Sequence, residues 1–482
     1  MVKNGKSARG RSLPLDRADL LGLGVKLSMI PKATTYWLCN VRVPAALLEG
    51  VDPGLLATRD RDDLVRVDLQ IDAGAIAQIA AAGDGDRPQP AVDWRGGQVW
   101  PCFVDLHTHL DKGHTWERTP NPDGSFESAI TKIKQDAAQH WQFEDLYRRM
   151  EFGLRCSYAH GTQALRTHLD CYDNGLATTN LAVFRALKDA WAGRLELQAV
   201  TLTSIDTFLT PLGDRLADQI AEVGGVLGGL VLMHPELPQQ LDRVFQLAQE
   251  RGLPLDFHTD ETGDPSSITL RYIAEAALRN GFEQQIVCGH CCSLAVQQPE
   301  AVMATIRALQ QVRAGVVSLP MCNLYLQDRA QSASQRWVNL SESLPGAIAT
   351  TPRWRGVTLI HELKHQGIPV ALASDNCRDV FHSFGDHDVL EVFSQSVKIA
   401  HLDRPYGDWP QAVTKTAADL MGLPQVGRIA PGLPANLVLF RGRSYSELLS
   451  RPQGDRVVLR QGQPIDTTLP DYAELDDLVG GS

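Results

Sequence analysis

The segment VWPCFVDLHTH, residues 99–109, decides the fold, because a continuous apolar run ends in the two imidazoles of His107 and His109. Continuous apolar runs are typical of strands that are buried on both faces of a parallel sheet. Alternate residues of a strand point to the same side, so both imidazoles can reach one ion. The segment therefore predicts a buried parallel strand that ends in metal-binding side chains.

Three further apolar runs also end in a side chain of a metal-binding type. They are residues 254–257 followed by His258, residues 285–289 followed by His290, and residues 368–374 followed by Asp375. Barrel enzymes place their chemistry at the carboxyl ends of parallel strands. Four strand ends of this kind predict a catalytic divalent metal.

Between residues 97 and 421, strand-like runs alternate with segments of helical periodicity, such as 181–191 and 237–249. Eight such β/α units predict an α/β protein with a (β/α)8 TIM barrel. A doubly wound open sheet is the alternative, although it would not gather ligands from the first and last strands. The strand-like runs are 99–106, 162–168, 195–202, 229–233, 254–257, 285–289, 314–319 and 368–374.

The two flanks hold short apolar runs punctuated by Gly, Asp and Pro, which indicates a small β domain. We expect residues 36–96 and 422–482 to form one β-sandwich, residues 97–421 the barrel, and residues 1–35 a basic N-terminal arm.

One long connection, residues 321–356, lies within the predicted barrel. A loop of that length at a catalytic face usually acts as a lid or shapes the substrate site. Its aromatic and cationic side chains are Arg329, Trp337, Arg353 and Trp354.

Composition excludes several classes of partner. A formal net charge of −11 over 482 residues argues against nucleic acid bound through its phosphates. No apolar stretch approaches the roughly 20 residues that span a bilayer, and no apolar region follows the basic N-terminus, so neither a membrane partner nor a secretory signal is expected. Nine thinly spread cysteines favour reduced thiols in a cytoplasmic enzyme. A zinc knuckle at 288–292 would need a second ligand pair at similar short spacing, which the sequence lacks.

The candidate ligands suit zinc or ferrous iron, since both ions accept imidazole nitrogen and carboxylate oxygen. We interpret His168 and His234 as ordinary hydrogen-bonded histidines. The candidate metal ligands are His107, His109, His258 and Asp375.

The candidate catalytic acid is Glu261, three residues after His258, where a carboxyl group can reach over the metal toward a bound ring. Asp260 is the competing carboxylate, and either residue could instead serve the first turn of a helix. His290, on the next strand, could hydrogen-bond the attacking water or a developing oxyanion.

Taken together, these motifs resemble the cytosine deaminase branch of the amidohydrolase superfamily, and the resemblance covers the whole barrel. It also reaches residues 432–440, which resemble the segment that leads such chains back into the β-sandwich. The motifs are His107-Thr108-His109-Leu110-Asp111-Lys112, Arg166-Thr167-His168-Leu169-Asp170, His258-Thr259-Asp260-Glu261, Gly289-His290 and Ser374-Asp375-Asn376.

The resemblance implies one Zn²⁺ or Fe²⁺ ion per chain, because no lysine follows the pattern of the bridging lysine of two-metal relatives. It also implies Glu261 as the proton shuttle, His290 as the residue that orients water, and Asp375 as both ligand and base. The implied ligands are His107, His109, His258 and Asp375.

The sequence also departs from cytosine deaminases in its expected substrate-binding residues. Ser204 stands where they carry a glutamine, Asn376 replaces a second aspartate, and Phe381 replaces a tryptophan. Lys112, three residues after His109, is similar to relatives that hydrolyse amino-substituted triazines, such as N-isopropylammelide aminohydrolases. Lys112 could hold a ring oxygen, or it could be a solvated cation that caps the first strand.

These patterns predict a hydrolase that removes ammonia or a small amine from a nitrogen heterocycle, either a cytosine-like pyrimidine or an amino-triazine. An enzyme that cleaves the C–N bond of a cyclic amide or imide is the alternative, and it would need two metals and a bridging lysine. A non-catalytic binding protein on the same barrel would leave the acid, the base and the ligands without a purpose. We expect a small-molecule partner and a homo-oligomer.

Overall fold

A computed structural model describes residues 30–83, 87–329 and 351–480 of the chain. Most of the predicted N-terminal arm and Trp337 of the long connection lie outside the described residues. Among the described residues, no helix is long and apolar enough to cross a membrane.

The N-terminal flank forms a four-stranded sheet in the order β3-β2-β1-β4, in which β1 runs antiparallel to β2 and parallel to β4. Most residues of β1 and β2 are buried, and most of their apolar side chains belong to the main hydrophobic core. The elements up to the barrel region are β1 (Thr35–Pro44), α1 (Pro53–Leu56), β2 (Leu64–Asp72), β3 (Ala75–Ala81), β4 (Ala91–Asp93) and β5 (Val99–Pro101).

The central region alternates eight strands with helices, which confirms the predicted α/β alternation. The strands are β6 (Phe103–Thr108), β7 (Thr162–Asp170), β8 (Glu196–Leu202), β9 (Leu227–Val231), β10 (Leu255–Thr259), β11 (Ile286–His290), β12 (Ala314–Ser318) and β13 (Val370–Leu372). The helices are α2 (Phe126–His140), α3 (Phe143–His160), α4 (Asn174–Ala190), α5 (Pro211–Glu222), α6 (Leu237–Arg251), α7 (Thr269–Arg279), α8 (Pro299–Leu309), α9 (Pro320–Leu326), α10 (Ile360–His365), α11 (Val389–Ala400) and α12 (Lys415–Leu420).

These eight strands form two parallel sheets, β6-β7-β8 and β13-β12-β11-β10-β9. Isolated parallel bridges join the sheets on both sides, from Ser204 to Leu230 next to β8 and β9, and from Thr108 to Asp375 next to β6 and β13. The second seam is hydrogen-bonded, since the Asp375 amide donates to the His107 carbonyl at 2.9 Å. The carboxyl ends of the first and last strands therefore lie side by side.

A compact apolar cluster fills the space between the parallel strands and α12. Its residues come from β6, β7, β11, β12 and β13, so side chains of distant strands meet in one buried layer. The cluster contains Val104, Leu106, Ala164, Val287, Val317, Ala371, Ala417, Ala418 and Leu420. The helices pack on the other side of the strands through a much larger core.

The C-terminal flank completes a second small sheet, in the order β16-β15-β14-β5. Its elements are β14 (Leu437–Leu439), α13 (Tyr445–Leu449), β15 (Val457–Arg460), β16 (Gln463–Pro464) and α14 (Asp476–Val479). The predicted strand 99–106 is thus two strands, because β5 pairs with β14 while β6 pairs with β7. The change of partner falls at Cys102, whose amide donates to Asn436, and at Phe103, whose amide donates to Gly161.

Candidate metal-dependent active site

The four predicted metal ligands lie together at the carboxyl ends of β6, β10 and β13. His109 Nε2 is 3.2 Å from Asp375 Oδ1 and 3.2 Å from His258 Nε2, and His107 Nε2 is 3.6 Å from Asp375 Oδ1. Ligand atoms about 2.0–2.1 Å from a tetrahedral zinc ion are separated from one another by about 3.4 Å. These three separations are close to those between ligand atoms around a single cation. Ligand atoms of His107, His290 and Asp375 also lie within 4.8 Å of one another, as do those of His107, His168 and His258.

Several polar atoms of this cluster are buried without a hydrogen-bond partner among the described residues. Both ring nitrogens of His107 and both carboxylate oxygens of Asp375 lack a hydrogen bond within the described part of the chain. A buried polar atom without a partner costs about 1–3 kcal/mol, so a native cluster of them calls for a ligand. Three imidazoles and one carboxylate are a donor set that suits zinc or ferrous iron. The residues present thus fit the expected metal.

Local backbone geometry holds these side chains in place. Asp375 and His290 have φ angles of +63° and +66°, a left-handed conformation that few residues other than glycine adopt. Such strain is typical of functional sites, where the surrounding structure maintains it. Gly289 lets the His107 ring approach, since a Cβ on this glycine would lie 3.0 Å from His107 Cε1.

Burial keeps the ligand histidines neutral, which is the form that binds a metal. It lowers the pKa values of His107, His109 and His258 well below the ordinary value, and neighbouring cations and imidazoles lower them further.

Glu261 and His290 lie next to each other beside the ligand cluster. Glu261 Oε1 is 3.3 Å from His290 Nδ1, and the Asn323 side-chain amide lies 3.0 Å from the same nitrogen and 3.3 Å from Glu261 Oε1. Donation from Asn323 to Nδ1 leaves the proton of a neutral imidazole on Nε2. His290 lines the cavity, and its Nε2 atom is buried without a hydrogen bond to any of the described residues.

The two carboxyl groups of the site hold protons more tightly than exposed carboxyl groups do. Burial, followed by the nearby Asp375 carboxylate, raises the pKa of Glu261 well above its ordinary value. Burial also raises the pKa of Asp375 to about 7. A carboxyl group whose pKa is raised in this way is suited to hold a proton and donate it.

Asp260, the competing carboxylate, serves a helix instead. Its side chain accepts hydrogen bonds from the backbone amides of Thr269 and Leu270, at 2.8 and 3.0 Å, and from the hydroxyls of Ser267 and Thr269, at 2.7 and 2.8 Å. These contacts satisfy free amides in the first turn of α7. The geometry thus favours Glu261 over Asp260 as the acid.

Lys112 is 2% exposed, which rules out the interpretation of a solvated cation. Its ammonium group donates to Asp170 Oδ1 at 2.8 Å and lies 3.3 Å from His109 Nδ1. The carboxylates of Asp111 and Asp170 raise the pKa of Lys112 even though burial acts to lower it. Lys112 is therefore a buried cation at the edge of the ligand cluster.

A cavity of about 440 Å³ opens over the cluster. All four residues expected to bind substrate line it, namely Lys112, Ser204, Asn376 and Phe381. Asn376 Nδ2 donates to Asp379 Oδ2 at 2.7 Å, which fixes the orientation of its amide. Aromatic and aliphatic side chains also line the walls of the cavity, namely Phe126, Ile133, Tyr172, Leu202, Leu230 and Leu232.

The long connection also reaches this region in its described part. Trp354 lies against Gly263, since a Cβ on that glycine would be 2.8 Å from the indole Cζ3 atom. Gln327 Nε2 donates to the Glu261 carbonyl at 3.4 Å. Residues at both ends of the connection thus contact the loop that carries Glu261.

Two residues of the site were not assigned from the sequence. His168 was taken as an ordinary hydrogen-bonded histidine, but its ring centroid lies 3.9 Å from that of His107. Neither of its nitrogens has a hydrogen bond in the described structure, although Nε2 lies 3.8 Å from Asp256 Oδ1. Asn323 lies within α9, five residues beyond the end of β12, so the strand-end pattern did not indicate it. His234, by contrast, has a side chain that is 52% exposed.

The cysteines fit no knuckle. All nine are free, and the close groups of metal-binding side chains among the described residues do not include Cys288, Cys291 or Cys292.

Comparisons with known proteins agree with this geometry. Residues 216–466 match the model of the amidohydrolase family. A pterin deaminase from Rhizobium rhizogenes (strain K84) is 45% identical over 454 residues, which cover 93% of this chain and 98% of that protein. An N-isopropylammelide isopropyl amidohydrolase from Pseudomonas sp. (strain ADP) is 24% identical over 78% of this chain and 88% of its own length.

The fold is likewise similar to a solved structure. The crystal structure of 5-methylcytosine deaminase from Klebsiella pneumoniae with bound 5-fluorocytosine superposes with a TM-score of 0.73. It is 25% identical in sequence and covers 90% of this chain and 98% of its own chain.

Proposed function

The chain belongs to the amidohydrolase family, and from that premise we propose that it is a metal-dependent hydrolytic deaminase of a pterin-type heterocycle. It is a hydrolase that acts on C–N bonds other than peptide bonds. The observation that carries the proposal is the buried Glu261 carboxyl beside His290 and Asp375, with a donor set for a cation at the bottom of one cavity. An acid, a base and a metal site at one point are what hydrolysis of an amino-substituted ring requires.

In this proposal one divalent cation, Zn²⁺ or Fe²⁺, binds at the catalytic site. Bound there, it supplies Lewis-acid activation of water. The short separations between the donor atoms and their burial support this assignment. The proposed ligands are His107, His109, His258 and Asp375.

The chain's carboxyl groups divide the proton transfers between them. Asp375 accepts the proton of the attacking water, and Glu261 donates its proton to the ring nitrogen next to the attacked carbon. Return of a proton to the exocyclic amine then lets ammonia leave. The raised pKa of Glu261 supports its role as the acid, since burial favours the protonated form of its carboxyl group. General acid–base catalysis of this kind is typically worth about 10²- to 10⁴-fold.

His290 orients the reacting oxygen, and Asn323 orients His290. With Asn323 as donor to Nδ1, the Nε2–H group is free to donate into the cavity. The pKa of His290 is lowered to about 3, chiefly by burial, so this donor carries no charge of its own at neutral pH.

The substrate class follows from the walls of the cavity and from the relative that is 45% identical. Aromatic and aliphatic side chains can cover the faces of a fused ring, as is usual for small-molecule pockets. We assign the polar edge of the ring to Lys112, Asn376 and Ser204, and one face to Phe381. That relative is a pterin deaminase, which supports a bicyclic amino-pyrimidine over cytosine or an ammelide.

The bridges on both seams support closure of the two parallel sheets into one (β/α)8 barrel. We further propose three units, a basic arm (1–35), a β domain (36–96 plus 422–482) that packs as a sandwich, and the barrel (97–421). Nine unpaired thiols support a cytoplasmic location. Homo-oligomerisation remains a prediction, which analytical ultracentrifugation would test.

Ammonia release is the direct test. Metal-loaded protein should release ammonia from pterin faster than from cytosine or ammelide. Glu261→Gln should lower kcat by about 10²- to 10⁴-fold with metal content unchanged. Glu275→Gln, on the exposed side of α7, is the matched control and should behave like the wild type. Failure of every amino-heterocycle would contradict deamination, and a ring-opened product without ammonia would favour the cyclic amide alternative.

A further inference from the structure

A second group of metal-binding side chains is buried outside the substrate cavity. Ligand atoms of His114, Cys377 and His387 all lie within 4.8 Å of one another. The three residues are 2%, 1% and 2% exposed, and none of them lines the cavity. Neither the proposed mechanism nor the substrate assignment uses any of them.

The two imidazoles face each other. His114 Nε2 lies 3.3 Å from His387 Nε2, a separation close to the roughly 3.4 Å between two ligand atoms of a tetrahedral zinc site. The Nδ1 atom of each ring lacks a hydrogen-bond partner in the described structure. An ion between the two rings could be bound through both Nε2 atoms, each of which offers one lone pair in a neutral imidazole.

Two of these residues have a strained backbone conformation, and a glycine leaves space for one of the rings. His114 and His387 have φ angles of +61° and +53°, in the left-handed region. Gly153 of α3 gives space to one imidazole, because a Cβ there would lie 2.9 Å from His387 Nε2. A larger residue at this position would push the ring out of the group.

The group joins the two loops on which the active site depends. His114 follows β6 and the residues His107, His109 and Lys112, whereas Cys377 and His387 follow β13 and Asp375. Backbone hydrogen bonds join the two loops. The His114 amide donates to the Cys377 carbonyl at 3.2 Å, and the Trp116 amide donates to the Arg378 carbonyl at 2.9 Å.

We propose that His114, Cys377 and His387 form a second, non-catalytic site for a zinc-like ion, which clamps the loops after the first and last parallel strands. Two imidazoles and a thiolate are a soft donor set that selects zinc and similar metals over magnesium or calcium. Binding converts the Cys377 thiol into a thiolate, forms the metal–sulfur bond and releases one proton to water. A small ligand such as water takes the fourth position.

Cobalt(II) substitution separates this site from the catalytic one, whose ligands are nitrogen and oxygen. Protein stripped of metal and loaded with Co²⁺ should bind two ions per chain and develop the near-ultraviolet charge-transfer band of a thiolate–cobalt bond. Because this band is measured first in the unaltered protein, the test stands even where a variant does not fold. One ion per chain without a thiolate band would overturn the proposal.

Variants test whether Cys377 supplies the thiolate that binds cobalt. Cys377→Ser should abolish the band, and His387→Gln should reduce the cobalt content from two ions to one. Cys322→Ser is the matched control, because Cys322 is a buried thiol 3.6 Å from Asn376 Oδ1 beside the catalytic site. The band should survive in that variant. A band that persists in Cys377→Ser, or disappears in Cys322→Ser, would contradict the assignment to Cys377.

Discussion

Two buried polar clusters lie close to the Lys112 loop, and they differ in whether their charges are satisfied. In the first, the Arg118 guanidinium donates hydrogen bonds to both carboxylate oxygens of Asp136 at 2.8 Å and to Asp145. The Asp145 carboxylate also accepts a hydrogen bond from Arg149 at 2.7 Å. In the second, the catalytic cluster, both oxygens of Asp375 are buried without a hydrogen bond to any described residue.

The electrostatics of the two clusters follow this difference. Burial acts to raise the pKa of Asp145, but Arg149 and Arg118 outweigh it, so the pKa is lowered. Asp375 has no such partner, and burial raises its pKa to about 7. The paired cluster also holds the loop, since Arg149 donates to the carbonyls of Asp111 and Gly113 at 2.6 and 2.9 Å. One cluster supports the structure, whereas the other is arranged for a ligand that is not part of the chain.

The largest effect should come from Asp375→Asn. The variant loses both a ligand and the base, so we expect kcat to fall by about 10⁴-fold, the upper end for acid–base catalysis, together with much of the catalytic metal. Elemental analysis and ammonia release measure the two losses. Asp379→Asn, a nearby buried carboxylate outside the ligand set, should keep its metal. A fully active Asp375→Asn would remove Asp375 from both roles.

Asp145→Asn should affect stability instead of metal binding. It leaves the buried Arg149 guanidinium without its carboxylate partner, while Arg118 keeps only Asp136. Breaking a buried ion pair from one side typically costs about 3–5 kcal/mol. Denaturant unfolding measures this loss. Asp218→Asn is the control, since Asp218 is 62% exposed in its contact with Arg251 and should cost less than about 1 kcal/mol. Equal losses in the two variants would contradict the comparison.

The difference in unfolding free energy between the wild type and Asp145→Asn should depend on pH in the acid range. The pKa of Asp145 is lower in the folded state than its value of about 3.9 in the unfolded chain. Its contribution to stability is therefore fully present above about pH 3.9 and is lost as the pH falls through the folded-state pKa. The difference in unfolding free energy between the two proteins should therefore be constant near neutrality and shrink below about pH 4. A difference that grows on acidification would reverse the sign of the assignment.

Asn323→Leu should have the smallest effect on the reaction. Loss of one hydrogen bond that positions His290 is worth about 1 kcal/mol, so kcat should fall by about 5- to 10-fold and its pH profile should shift. Gln327→Ala, which removes a contact to the Glu261 backbone only, is the control. An unchanged pH profile in Asn323→Leu would mean that Asn323 has only a structural role.

The ligand cluster was predictable from the sequence because each ligand lies at the end of an apolar run, and parallel strands place such ends at one edge. His107, His258 and Asp375 follow this rule directly. His168 obeys the same rule at the end of β7, but one histidine in a strand carries no sign of what it faces. Its distance of 3.9 Å from His107 appears only when the strands are assembled.

Other features depend on pairing between distant segments, which an apolar run does not encode. Residues 99–106 look like one strand, yet the part before Cys102 pairs with β14 and the part after it pairs with β7. Asn323 was missed because it lies in the first turns of α9, five residues beyond the end of β12. The burial of Lys112 likewise depends on Asp170, which is 58 residues away in the chain.

The most direct test of the account is the metal dependence of ammonia release from pterin. Protein stripped of metal, as verified by elemental analysis, should be inactive, and addition of Zn²⁺ or Fe²⁺ should restore turnover in the wild type but not in Glu261→Gln. Full activity in metal-free protein would contradict the claim that the buried imidazoles and Asp375 hold a catalytic cation.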